Sequence, residues 1–491
     1  MVNLLNKSES SSFFDVEKIK NFYFLYDFLF DLPQNKFVKE ETVEINRILS
    51  HILTDVDSIQ YRHDIALDFL NHSDVLSNIR MTLFDLPKEQ NEYIKMKSMA
   101  QKNIRESYNA PSSIAKSIRY KAAYCKQLML YFDVLYEKLK NICFSSSALR
   151  ELNEELNDFI ANDKMVLVDL CNYLEFNNSD TFSGQVLIRF DEFFRISYMD
   201  IMPYFETVCE DRTIKMFGRL KPNRLRLEND RPSVKDDIFA AHLGKRMDEI
   251  LSAVSKKLFD YLNNIRISVN CYLLLQNFVA FLESSGVPWT FPEFNGRIRI
   301  DKLYDVALLR IKDREDLIAN DYDYGERVSG IVVLGKNGSG KTVYLRSLYN
   351  AYLLAQIGFP LPAAKAELVA SNGLFCVGAY VKRENTEDKM NIGGFEHEVI
   401  RIKQVIDESK KGSIVFLNEV FQSTAFNDAS KALTDILDFF SKIGVKWICV
   451  SHLPNLFAYA ENLPSVFLKH MTHIFKATPH EDEAVEKFTK K

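Results

Sequence analysis

Residues 335–342 read GKNGSGKT and follow directly on the apolar run IVVL, matching the pattern GxxxxGK[ST]. That order of residues predicts a phosphate cradle. Glycines let backbone N–H groups wrap oxygen atoms, a lysine reaches the outer phosphates, a threonine hydroxyl ligates Mg²⁺, and the helix that opens there adds positive potential. Gly335, Asn337, Gly338, Ser339, Gly340, Lys341, Thr342 and Val343 are therefore the candidate nucleotide-binding residues, with ATP as the expected ligand.

A second apolar run, IVFL at 414–417, delivers Asn418 and Glu419 at its carboxyl end. Ligands in α/β sheets sit at the carboxyl ends of strands. Glu419 lies 78 residues after Lys341 (419 − 341) and is placed to orient or deprotonate an attacking water. His452, 33 residues further on (452 − 419), ends the run KWICVS, where an imidazole can meet a terminal phosphate. Lys341, Glu419 and His452 are the candidate catalytic residues; Thr342, Asn418 and Glu419 are the candidate metal-binding residues. Asp428, in the loop beyond, is either a helix cap or a residue facing a partner.

These residues need strands and helices to hold them, and the 491-residue chain divides accordingly. From about residue 13 to 285 the sequence is almost free of glycine and shows helical periodicity. The clearest helix runs from about Lys245 to Glu283 without proline or glycine, with Ile250, Val254, Leu258, Leu262, Ile265, Val269 and Leu273 on one stripe. It is expected to be roughly 55–60 Å long, longer than a compact domain needs, and to work as a lever or a coiled-coil arm. Ser147 is a candidate helix cap, and a loop at 215–237 carries Lys215, Arg219, Lys221, Arg224, Arg226 and Arg231. Glu228, Asp230, Asp236 and Asp237 dilute that charge, so a solvated loop is the plainer reading and a phosphate-contacting patch the sharper one. After Gly286, strand-like runs alternate with helices. The expected organisation is a helical core at 1–145, a helical clamp-like region at 146–245, a lever helix at 246–285, and an α/β nucleotide domain with a mixed sheet flanked by helices at 286–491.

A net charge of −5 neither points to nucleic acid nor excludes it, because local charge decides that. Seven cysteines without CxxC or His-paired spacing make a zinc site improbable and suggest reduced core residues. The start MVNLLNKSESSSFF lacks the apolar segment of a signal peptide, and the run CYLLLQNFVAFL is too short and interrupted to span a bilayer. A cytoplasmic protein with no membrane partner is expected.

With these residues in place, the second half resembles the ATPase domain of the MutS family, the ABC-type ATPases of DNA mismatch repair. The resemblance rests on GKNGSGKTVYLRSL, on LLAQIGFPLPAAKAEL with its Gln-Ile-Gly turn, on DLIANDYDY, on GGFEHEV at the place of the family's Ser-x-Phe-x-x-Glu signature, and on VSHL. It implies that Asn320 lies beside the nucleotide base and that Gly393 and Gly394 face the γ-phosphate of a partner subunit. The helical half is similar, more loosely, to the family's core and lever in RHDIALDFLNHSDVLSNIRMTLFDLP. Nothing resembles a mismatch-reading or nuclease domain; Phe190 and Glu192 have the Phe-x-Glu spacing of a reader but are expected in a helix.

Two positions depart from the family. Gly393 replaces the signature serine and loses a hydroxyl donor, and Asn418 replaces an aspartate and lacks the charge that strengthens a bond to a magnesium water. The resemblance thus implies an ATP-gated dimer, of identical chains or paralogues, that hydrolyses slowly and holds DNA through its helical arms, with Arg219, Lys221, Arg224 and Arg226 as candidate contacts. The alternative is a nucleotide-gated scaffold on a protein or a ribonucleoprotein such as the ribosome.

Overall fold

The computed structural model describes residues 3–7, 13–15, 24–87, 113–176, 184–190, 196–203, 234–309, 317–325, 328–336, 338–378, 394–421, 426–453, 455–463 and 465–471. The basic loop with Arg219, Lys221, Arg224 and Arg226, together with Asn337 and Gly393, lies outside them. The chain forms two compact units. One gathers Met1–Val2, Ser77–Cys143 and Arg150–Arg266; the other gathers Asn3–Leu76, Phe144–Leu149 and Ile267–Lys491.

The amino-terminal elements are β1 (Phe13–Asp15), α1 (Phe24–Phe30), α2 (Lys39–Leu49), β2 (His51–Leu53), α3 (Val56–Asn71) and α4 (Ser73–Leu83). The first unit holds α5 (Ser113–Leu139), most of α6 (Ser147–Asp158), one π-helical turn (Phe159–Asp163) and α7 (Lys164–Phe176). Here Phe132 stacks on Tyr261 at 5.5 Å, Lys164 pairs with Asp133 at 2.6 Å, and Lys121 pairs with Asp248 at 2.5 Å. Helix α6 begins at Ser147, and the carboxylate of Asp68 accepts from the amides of Ser145 and Ser146 just ahead of it.

Two features differ from the expected helical clamp. Residues 184–203 hold an antiparallel pair, β3 (Gly184–Phe190) and β4 (Ile196–Pro203), so Phe190 lies on a strand and not in a helix. Val186, Ile188, Ile196, Tyr198 and Ile201 are β-branched or aromatic, and strand pairing rewards such residues where helix propensity is weak. Helix α8 (Val234–Ser284) begins well before Lys245 and runs for 51 residues. By length and composition its residues Met247–Ser284 are apolar enough to cross a membrane, yet 72% of the most apolar window is buried inside the protein, as in a core helix.

The nucleotide unit contains β5 (Glu293–Phe294), β6 (Ile298–Leu303), α9 (Val306–Leu309), β7 (Asn320–Tyr324), β8 (Gly330–Gly335), α10 (Lys341–Ile357), β9 (Lys365–Leu368), β10 (Leu374–Gly378), α11 (Gly394–Glu408), β11 (Ile414–Asn418), α12 (Phe426–Lys442), β12 (Lys446–Val450), α13 (Asn455–Glu461) and β13 (Val466–Met471). Five strands form a parallel sheet in the order β10-β11-β12-β8-β13. Strands β8, β10, β11 and β12 are nearly continuous apolar runs, as a sheet covered on both faces demands, whereas β13 carries Lys469 and His470. Trp447, fully buried, fills the space beside Gly330, and Phe416, Leu417 and Val415 are buried with it. A second, mixed sheet has the order β5-β9-β6-β7.

Residues 3–76 join this unit through contacts on the helix that follows the phosphate loop. The side-chain amide of Gln356 donates to the carbonyls of Leu53 and Ser371 at 2.7 Å each. Buried Arg62 donates to the carbonyls of Ile357 at 2.9 Å and Leu5 at 2.7 Å, and Phe14 meets Phe375 edge-on at 5.1 Å. Burial lowers the Arg62 pKa, and its cation sits at the negative end of the α10 dipole. Among the described cysteines, Cys125, Cys171, Cys271, Cys376 and Cys449 are buried thiols, whereas Cys143 is exposed and not a core residue.

Candidate functional site

The order of the parallel sheet brings the carboxyl ends of β8, β12 and β11 side by side. The phosphate loop follows β8, His452 follows β12, and Asn418 and Glu419 end β11, so residues far apart in sequence converge at one edge. Gly338 and Gly340 take φ of +78° and +89°, which permits the loop to close at the amino terminus of α10.

Lys341 is buried, and its ammonium donates to the carbonyls of Gly335 at 2.9 Å and Lys336 at 3.0 Å. Burial lowers its pKa while Glu419, with Oε1 at 3.9 Å, opposes the shift. Glu419 Oε1 also lies 2.8 Å from His452 Nε2. The backbone of Glu419 is left-handed, φ +53°, and that of Phe421 is too, φ +64°. Non-glycine residues in that region carry strain and cluster at functional sites. The Glu419 amide donates to the Val450 carbonyl at 2.9 Å, which fixes the start of this turn against β12.

Thr342 Oγ1 donates to Asn418 Oδ1 at 3.4 Å. Asn418 is fully buried, and its Nδ2, like Ser339 Oγ, has no hydrogen-bond partner among the described residues. An orphaned amide donor and hydroxyl beside the amino terminus of α10 are what a phosphate and a hydrated cation would satisfy. The set fits Mg²⁺ in donor chemistry: Thr342, Asn418 and Glu419 supply only oxygens, with Glu419 bearing the charge. Bound there, the cation would neutralise the charge on the outer phosphates.

Asn320 is buried at the start of β7, on the same face as Tyr322 and Tyr324. That face packs on α10. Tyr322 Oη donates to the Tyr344 carbonyl at 2.7 Å and meets Ser347 Oγ at 2.8 Å, while the hydroxyls of Tyr324 and Tyr344 are bonded. Burial pushes the three phenols well up, so they stay neutral donors. The Lys469 ammonium sits 4.1 Å from the centre of the Tyr344 ring, and Arg346 grips Asp305 through two bonds of 2.9 and 3.0 Å. Tyr322, Tyr324, Tyr344, Lys469, Asp305 and Arg346 thus clamp the first turns of the loop helix; β7's own Asn and Asp content hid that strand from propensity. Val343 continues the helix, Gly394 opens α11, and Asp428 is exposed in the first turn of α12.

A parallel sheet with a glycine loop, a buried lysine at a helix amino terminus and a strand-end glutamate defines a P-loop nucleotide-binding domain. Residues 331–488 match the family model described as MutS domain V. Over 187 residues the chain is 26% identical to the Endonuclease MutS2 of Staphylococcus aureus strain MSSA476, covering 37% of this chain and 23% of that protein. Over 156 residues it is 26% identical to the Endonuclease MutS2 of strain JH9, covering 31% of this chain and 19% of that protein. The match spans about a fifth of the length of these curated relatives. What is similar to the MutS family is therefore the nucleotide-binding region at residues 331–488.

Proposed function

We propose that this protein is an ATP-driven switch: ATP binds the loop at Gly335 to Val343, closes a dimer of nucleotide domains, and is cut slowly. The observation that carries the reading is the convergence of Lys341, Glu419 and His452, with Lys341 Nζ 3.9 Å and His452 Nε2 2.8 Å from Glu419 Oε1. In hydrolysis a water oxygen bonds to the γ-phosphorus, the bond to the bridging oxygen breaks, and Glu419 takes the water's proton. His452 steadies Glu419 and faces the terminal phosphate. Asn418 brings no charge to the cation, and Gly393 brings no hydroxyl to the partner's phosphate, so the ATP-bound state is long-lived. Asn320 is assigned to the base. Phosphate release from MgATP tests the reading, which requires measurable turnover and is contradicted by an inert chain.

Dimer closure is supported by the apolar face of α11, where Phe395, Val399 and Ile400 are each 42% exposed beside the signature position. The partner is a second copy of this chain, and the setting is the cytoplasm.

DNA is the ligand proposed for the helical half, from the family resemblance and from Arg219, Lys221, Arg224 and Arg226 in one loop. The expected result is duplex binding that weakens with salt, with a slope reduced by about two when Arg224 and Arg226 become Ala. Absence of binding at low salt would instead favour a protein or ribonucleoprotein partner.

A further inference from the structure

The carboxylate of Glu398, on the second turn of α11, accepts a hydrogen bond from the backbone amide of Phe421 at 2.8 Å. Phe421 is the second of the two left-handed residues that flank Val420, and Glu419 is the first. The turn is therefore held at both ends: the Glu419 amide is tied to the Val450 carbonyl, and the Phe421 amide is tied to Glu398. Between the two ties the chain carries Val420, fully buried, and keeps a conformation that non-glycine residues adopt only under constraint. The Phe395 ring, one turn ahead of Glu398, packs on the Phe421 ring at 5.7 Å.

We propose that Glu398 is a positioning residue for Glu419. It braces the strained turn from the side of α11 and so sets the carboxylate 2.8 Å from His452 and 3.9 Å from Lys341. Because α11 begins at Gly394, beside the position facing the partner's phosphate in the proposed function, the brace links that helix to the water-activating group. A shift of α11 on dimer closure reaches Glu419 through one hydrogen bond and one ring contact. This role rests on the ATPase reading above, while the brace itself exists in the chain without nucleotide.

The test uses Glu398→Ala, which removes the acceptor, and Glu398→Gln, whose amide oxygen keeps it. Hydrogen exchange without nucleotide should show the Phe421 amide exchanging faster in the alanine variant and near the wild-type rate in the glutamine variant. Turnover of MgATP should fall roughly tenfold to a hundredfold in Glu398→Ala, the scale of a misplacement of about 1 Å, with KM for ATP unchanged and activity retained in Glu398→Gln. Wild-type turnover in the alanine variant, or an equal loss in both, would overturn the proposal. If the wild-type chain itself shows no turnover, the ATPase reading fails and the catalytic role falls with it, whereas the exchange result still decides whether the brace holds the turn.

Discussion

Replacing Glu419 by Gln is expected to reduce MgATP turnover by roughly 10²–10⁴-fold, the range that a positioned general base contributes. Glutamine keeps the shape and the hydrogen bond to His452 but cannot take a proton from water. Binding should survive. Lys341 loses a nearby anion when Glu419 becomes neutral, so the ammonium is freer to meet phosphate and ATP affinity should hold or rise. Pre-steady-state phosphate release, measured with direct ATP titration, separates these two effects. Unchanged turnover would remove Glu419 from the catalytic role.

Gly358→Val is expected to destabilise the nucleotide unit strongly. Gly358 ends α10 with φ +86°, and a β-carbon there would lie 2.8 Å from Arg62 Cβ and 3.0 Å from its Cδ. The left-handed backbone costs about 1–2 kcal/mol for a residue with a β-carbon, and overpacking adds about 1–3 kcal/mol. The expected total is on the order of 2–5 kcal/mol. Arg62 cannot step aside freely, because its guanidinium is committed to the carbonyls of Leu5 and Ile357. Gly296→Val is the matched control: φ is +87°, with nothing within 4 Å of a β-carbon, so only the conformational part should be lost. Chemical denaturation midpoints measure both, and equal losses would mean that the Arg62 contact contributes nothing.

Legibility in the sequence followed the range of the interactions. The phosphate loop was readable because eight adjacent residues carry the whole device. The strands β8, β10, β11 and β12 were readable because buried parallel strands are unbroken apolar runs. Strand β7 was not, since its Asn320, Asp321 and Asp323 disfavour strands while Tyr322 and Tyr324, buried on the α10 face, are what place it there. Glu398 was seen only as the glutamate of the signature-like GGFEHEV, and its contact was not readable because the partner is a backbone amide 23 residues away. The reach of Arg62 to Ile357, 295 residues apart, is likewise non-local, and it is why residues 3–76 join the nucleotide unit instead of a separate helical domain. The Gln-Ile-Gly turn was noticed only as a resemblance; its physical content is Gln356 donating to two carbonyls and Gly358 making room for Arg62.

The central claim is that ATP, held at the loop, joins two nucleotide domains. Light scattering of the Glu419→Gln chain measures this directly, with saturating MgATP and then with ADP. A mass twice that of one chain is expected under ATP and a single-chain mass under ADP. A single-chain mass with ATP demonstrably bound would contradict it.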